Sequence, residues 1–352
     1  MSINIKQSHQ GIRPFKIFLA ILVFSLLFWS SQAGAWEVTE TTDEVDADLT
    51  DGVCDTDLTD GAVVTCTLRA AIQESNTQTG THTITFQEGL GTIELTENTA
   101  VTTSDSAAIG DLNITTNITI TGDETNKTTI DASAIDHRIF YLTSSGVTLT
   151  LENMKLTGGG NSTFSEFGST VLAYYGDIVL SSCEVTLNSS DSMGTITSML
   201  GDITVTDSIF SYNTVSSGGA IAMLMAGDLI VENSTITGNM ASDSGAGIVA
   251  GYVSSVMITD SIISSNQSEG SGGGMVMANV TTFTMTGTTV SSNTALAFGG
   301  IAVGNANITI SDSTISGNSA TESSAPDEID CDNGVDDDSD GQEDMLDSDC
   351  FG

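Results

Sequence analysis

The stretch GGAIAMLMAGDLIVENSTITGN, Gly218 to Asn239, holds three short runs of alternating apolar and small polar residues, parted by Gly, Asp, Asn and Ser. It returns downstream as GAGIVAGYVSSVMITDSIISSN (245–266), GGGMVMANVTTFTMTGTTVSSN (272–293) and GGIAVGNANITISDSTISGN (299–318). The closing asparagines, with two earlier ones, are Asn188, Asn213, Asn239, Asn266, Asn293 and Asn318, in steps of 25, 26, 27, 27 and 25. The opening apolar residues Val171, Ile196, Ile221, Ile248, Met275 and Ile301 keep time with them, in steps of 25, 25, 27, 27 and 26. The alternation has the period of a strand, not of a helix. Three strands in a repeat of this length imply an all-β fold, a right-handed parallel β-helix in which each repeat is one coil. Earlier runs, including Ile84–Phe86, NITITG (117–122) and VTLTLENMKLTGG (147–159), extend it less regularly. The expectation is about nine coils over 81–320, stacked at the spacing of neighbouring strands.

Outward from the repeat, composition bounds the setting. Lys6, Arg13 and Lys16 lead into IFLAILVFSLLFW (17–29), followed by SSQAGA, which ends in Ala33-Gly34-Ala35. That order of charge, apolar run and small residues predicts a signal peptide over 1–35, export, and a soluble chain with no membrane span after its removal. The expected location is secreted, or on the outer membrane or cell surface. The sequence has 46 acidic residues, and the only basic ones beyond residue 35 are Arg69, Lys127, Arg138 and Lys155. Such a chain repels nucleic acid and other polyanions.

Export permits disulfides. Cys54 with Cys66, and Cys331 with Cys350, close the shortest loops among the five cysteines, although spacing alone does not fix the pairing. Cys183 is left over, as a small buried apolar residue.

GGAI (218–221), the closing Asn239 and the preceding SIFSYN (208–213) resemble the GGAI and FxxN repeats of chlamydial polymorphic outer-membrane proteins. Such repeats recur in bacterial surface proteins of the pectate-lyase-like β-helix class. CTLRAAIQESN (66–76) is similar to the signature of CSLREA-type domains, which precede such β-helices. The resemblance implies that 36–80 is a cap module. Leu68, Ala71, Ile72 and Ser75 fall on one helical face, suited to covering the open apolar end of the first coil. Thr67 is the expected N-cap. Ala70 stands where the motif has Glu, which removes the reciprocal bond of a capping box. Arg69 is expected to pair with an acid of VDADLTDG (45–52), a structural role.

Gly-Asp recurs at Asp177, Asp202 and Asp228, in register with the repeat. Stacked carboxylates repel unless one is protonated or a cation sits among them, so this column is a candidate for Ca²⁺ or for the paired acids of a glycosidase. Ordinary turn chemistry is the other reading, because the column continues as Ser255, Thr282 and Asn307. Lyases of the class the chain resembles use Arg or Lys as base, and none follows Lys155. His82 and His137 lie outside the regular coils, and Tyr174, Tyr175, Tyr212 and Tyr252 do not fall on one register. The leading reading is a non-catalytic, adhesive or structural surface or matrix protein, whose partner is a surface glycan or cell-envelope component. The alternative is a polysaccharide lyase or glycoside hydrolase acting through the Asp column. The Asn column has two structural readings, a hydrogen-bonded ladder or left-handed turns.

A linker over 321–330 leads to the tail 331–352. Asp336, Asp338, Asp340, Gln342, Asp344 and Asp347 occupy positions 1, 3, 5, 7, 9 and 12 of a Ca²⁺-loop template, with Gly341 at the turn. The segment resembles thrombospondin-type-3 and dockerin-like loops, and the CDNGxDDDxDG modules that end many exported bacterial proteins. It predicts a Ca²⁺ site pinned between Cys331 and Cys350.

Overall fold

The computed structural model describes residues 34–57, 64–97, 107, 110–161 and 167–321. The expected signal peptide up to residue 33, the linker beyond 321 and the acidic tail lie outside the described residues, as does the Cys331–Cys350 pairing.

The repeat folds as its register predicts. Among the described residues, every strand pairing between coils is parallel, and the strands stack into four sheets of ten, nine, eight and seven members. Each regular coil gives one strand to each sheet. The coil of Asp177–Ser181, Glu184–Thr186, Ser189–Met193 and Ile196–Ser198 is an example. Three of these are the expected strands. The fourth sheet is an addition of mostly short strands at the turn that follows the second, and begins at Gly160–Asn161. Among the described residues, eight coils carry all three expected strands, the last six of them the fourth as well, and a ninth runs from Asn307 to Ala320.

The apolar alternation builds the core. On the longest sheet the inward residues are Leu149 and Leu151, Ile178 and Leu180, Ile203 and Val205, Leu229 and Val231, Val256 and Ile258, all fully buried. The opening column holds: Val171 pairs with Ile196, Ile196 with Ile221, and so on through Ile248 and Met275 to Ile301. Burial of each such side chain contributes roughly 1.5–3 kcal/mol.

The longest sheet starts earlier than the repeat suggests. Ala35–Val38 pairs in parallel with Thr81–Phe86, so the chain enters the sheet, leaves it for the cap and returns beside its own first strand. The cap carries the helix Leu68–Thr77. Thr67 caps it as expected, its Oγ1 accepting from Ala70 N at 3.1 Å. The face of Leu68, Ala71, Ile72 and Ser75 is buried as expected, and the rest of the helix is buried with it, from Leu68 to Ser75. The helix packs against the strands Ala35–Val38, Thr81–Phe86 and Leu112–Ile114, and the Cys54–Cys66 disulfide stands just before it in the chain. Asn76 fastens its far end to the coil, donating to Asn113 O and accepting from Thr115 N. Among the described residues, no helix is long and apolar enough to cross a membrane.

Candidate functional site

The Asp column begins the strands of the longest sheet. Asp228 pairs with Ser255, Ser255 with Thr282 and Thr282 with Asn307, the continuation read from the sequence. The carboxylates act between coils. Asp177 Oδ1 accepts from Asp202 N at 2.9 Å, and Asp202 Oδ1 accepts from Asp228 N at 2.8 Å. Asn117 does the same upstream for Thr148 N. Asn117, Asp177 and Asp202 thus each hold the backbone of the next coil, which is turn chemistry carried from coil to coil. Among the described residues, no group of three or more His, Cys, Asp or Glu is arranged to hold a metal ion.

The cations among the described residues sit elsewhere, and each has an acceptor. Arg69 is fully buried and bidentate to Asp43, with Nε to Oδ1 at 2.7 Å and Nη2 to Oδ2 at 2.9 Å. The expected partner in 45–52 is therefore corrected to Asp43, two residues upstream of it. Asp43 is held in place because its Oδ2 also accepts from Thr96 N and Glu97 N. Arg69 further donates to Ala107 O and Gly110 O. Arg138 donates to Asp111 Oδ2 at 2.5 Å and to Phe167 O, and lies 4.4 Å from the centre of the Tyr141 ring. His137 Nδ1 stands 3.5 Å from the other oxygen of Asp111. Lys127 donates to Ser182 O, and Lys155 is 3.9 Å from Glu184. None of these partners is one of Asp177, Asp202 and Asp228.

His82 is buried against Trp36, ring centres 5.3 Å apart, and its Nδ1 accepts from Gly34 N. Burial pushes its pKa down, which keeps the ring neutral. In the cap helix, burial and then the neighbouring Asp46 charge push the Glu74 carboxyl up. Burial raises the Cys183 thiol to about 11, so it stays protonated and unreactive.

Two buried ladders run along the coils. In the first, each Asn of the column from Asn188 to Asn293 donates both its backbone N–H and its Nδ2 to Oδ1 of the next Asn, at 2.9–3.1 Å. This is the ladder reading. The left-handed conformation belongs instead to the residue before each Asn, among them Leu187, Tyr212 and Ser265. The second ladder was not read from the sequence. Cys183, Ser208, Ser234, Ser261 and Thr288 each donate a backbone N–H to the hydroxyl one coil on, ending at Ser313. Its signal was present as hydroxyl residues at steps of 26, 27, 27 and 25 from Ser208, in a sequence where Ser and Thr are everywhere.

A family model for the right-handed β-helix region matches residues 139–315, which is 177 of the 352 residues. The chain belongs to the right-handed β-helix family. Within this β-helix the match covers the regular coils, and the cap and the first irregular coils precede it. No curated protein and no solved structure matches the chain.

Proposed function

We propose that this β-helix is an exported, non-catalytic surface or matrix protein, adhesive or structural, with a calcium-binding loop at its C-terminal end. The observation that carries this reading is how the acids are used. The carboxylates of Asp177 and Asp202 are engaged in coil-to-coil bonds, Asp228 joins the column through its backbone N–H, and no basic residue stands on those coils to serve as the base of a lyase or to hold a uronate. The export signal, the surface-protein repeats that the sequence resembles and the acidic surface support the same reading.

On a panel of neutral and acidic polysaccharides, the protein is expected to release neither reducing sugar nor unsaturated product. Asp202→Ala should then change only stability, by about 1 kcal/mol for the lost bond to Asp228 N. Product release that Asp202→Ala abolishes would establish the polysaccharide-degrading alternative in its place.

The calcium loop rests on the spacing of Asp336, Asp338, Asp340, Gln342, Asp344 and Asp347. Those oxygens are of the type and order that Ca²⁺ takes, with Asp in place of the usual bidentate Glu at the last position. Calorimetric titration of the full chain with Ca²⁺ should show saturable binding that Asp338→Ala weakens about tenfold or more. A flat titration at millimolar Ca²⁺ removes the loop from the proposal.

A further inference from the structure

The corner between the third sheet and the longest sheet carries an exposed apolar column. Ala173, Ser198 and Met223 are paired neighbours on successive coils, and two residues beyond them stand Tyr175, Leu200 and Met225. Leu224 pairs with Gly251, Gly251 with Ala278 and Ala278 with Gly304, and the residues that follow are Met225, Tyr252, Asn279 and Asn305. One corner column therefore reads Tyr175, Leu200, Met225, Tyr252, Asn279, Asn305. The first four are 50, 43, 60 and 69% exposed. Tyr175 and Tyr252 thus share a register that the sequence reading did not find.

Part of this ridge sits on backbone that its side chains do not favour. Met225, Tyr252, Asn279 and Asn305 all have positive φ, from 55° to 74°. Asn suits that conformation, and Asn279 and Asn305 bond to each other across coils at 2.9 Å. Tyr252 and Met225 at the same position hold a large apolar side chain in water on a disfavoured backbone. The aromatic surface widens at one end, where Tyr175 neighbours Tyr174 at 6.3 Å and Tyr174 neighbours Tyr141 at 6.1 Å between ring centres. Two or three residues after the ridge comes the Asp column, of which Asp202 and Asp228 are exposed.

We infer that this edge binds a linear glycan of neutral or amino sugars, laid along the stacking direction of the coils. This rests on the non-catalytic surface reading and specifies its ligand. Tyr faces stack on the C–H faces of pyranose rings, and the adjacent carboxylates accept hydroxyl or ammonium hydrogen bonds. Tyr175 and Tyr252 are three coil steps apart, about 14 Å at strand spacing, so an oligomer rather than a single sugar spans them. Charge chooses the class: no Lys or Arg follows residue 155, and Arg138 at the Tyr141 end is already paired with Asp111, so a polyuronate is repelled and a cationic sugar attracted.

The test is calorimetry on the full chain with three probes: the hexamer of β-1,4-linked N-acetylglucosamine, its deacetylated form, and oligogalacturonate. Both hexosamine probes should bind saturably, the deacetylated one losing affinity as salt rises, and oligogalacturonate should not bind. Tyr175→Asn with Tyr252→Asn should weaken both about tenfold or more. Tyr252→Asn alone should leave the melting temperature unlowered, because it places Asn at the positive φ that Asn279 and Asn305 share. Tyr212→Asn, at a different corner, should leave affinity unchanged. No binding of either hexosamine probe, equal affinity in the double variant, or a self-associating protein that the double variant makes monomeric would each overturn the assignment. A chain that binds neither probe yet still adheres to cells loses the ridge and keeps the surface role. Product release from polysaccharide removes the non-catalytic reading whatever the ridge does.

Discussion

Arg69→Ala should loosen the N-terminal end of the solenoid by about 3–5 kcal/mol, the cost of leaving a buried partner charge unpaired. The Asp43 carboxylate and the Arg69 guanidinium are both fully inaccessible to solvent. Removing the cation strands Asp43, together with Ala107 O and Gly110 O, in a place water does not reach. Asp43→Ala should cost a similar amount, because it strands Arg69 and leaves Thr96 N and Glu97 N without their acceptor. The two changes meet in one network, so the double variant should be little worse than either alone. The damage should also be local. Solenoids hold together through contacts between neighbouring repeats, so the end that loses its cover melts ahead of the rest. Trp36 reports on that end, buried on the first strand against His82. In a Trp29→Phe background, Trp36 fluorescence in urea should therefore shift to lower denaturant than the far-ultraviolet signal of the coils. Coincident, unshifted transitions in Arg69→Ala would show that the pair does not hold the cap.

The reach of the sequence follows from where the same physical demand is made more than once. Each coil must bury the same columns and turn the same corners. The register of Val171 through Ile301, and of Asn188 through Asn318, was therefore legible from spacing alone. Thr67 was legible as a cap because capping is local. Asp43 was not legible as the partner of Arg69, since the path of the loop decides which carboxylate arrives, and VDADLTDG offered several. The strand Ala35–Val38 was hidden for a similar reason: it is one short strand paired with a segment beyond the cap. The hydroxyl ladder was masked by composition. The Tyr175–Tyr252 corner required the coil steps to be carried onto residues that belong to no strand. The Asp column was placed correctly in sequence, and its bonding to the next backbone N–H could be seen only with the coils stacked.

The second large effect is expected at the centre of the Asn ladder. Asn239 is buried, and its Oδ1 is the acceptor for both the backbone N–H and Nδ2 of Asn213. Its own Nδ2 serves Phe210 O and Asn266 Oδ1. Asn239→Ala leaves these groups unsatisfied in a dry interior, at about 1–3 kcal/mol each, so a total loss of roughly 3–5 kcal/mol is expected even after some relaxation. Asn318→Ala, half-buried on the last coil, should lose only about 1 kcal/mol, because water can replace part of what is removed. Asn239→Asp separates shape from hydrogen-bond polarity. The acid fits the same space, but its ionised form cannot donate to Asn266 Oδ1 or Phe210 O. Burial raises the folded-state pKa above the unfolded value of about 3.9, so the variant binds more protons folded than unfolded. Its stability relative to the parent must then fall as pH rises through that folded pKa. Urea unfolding at pH 5 and pH 8 should show Asn239→Asp losing more at pH 8. Equal losses at both values would mean that the ladder position is wet, and that the asparagines fill the turn without bonding the coils together.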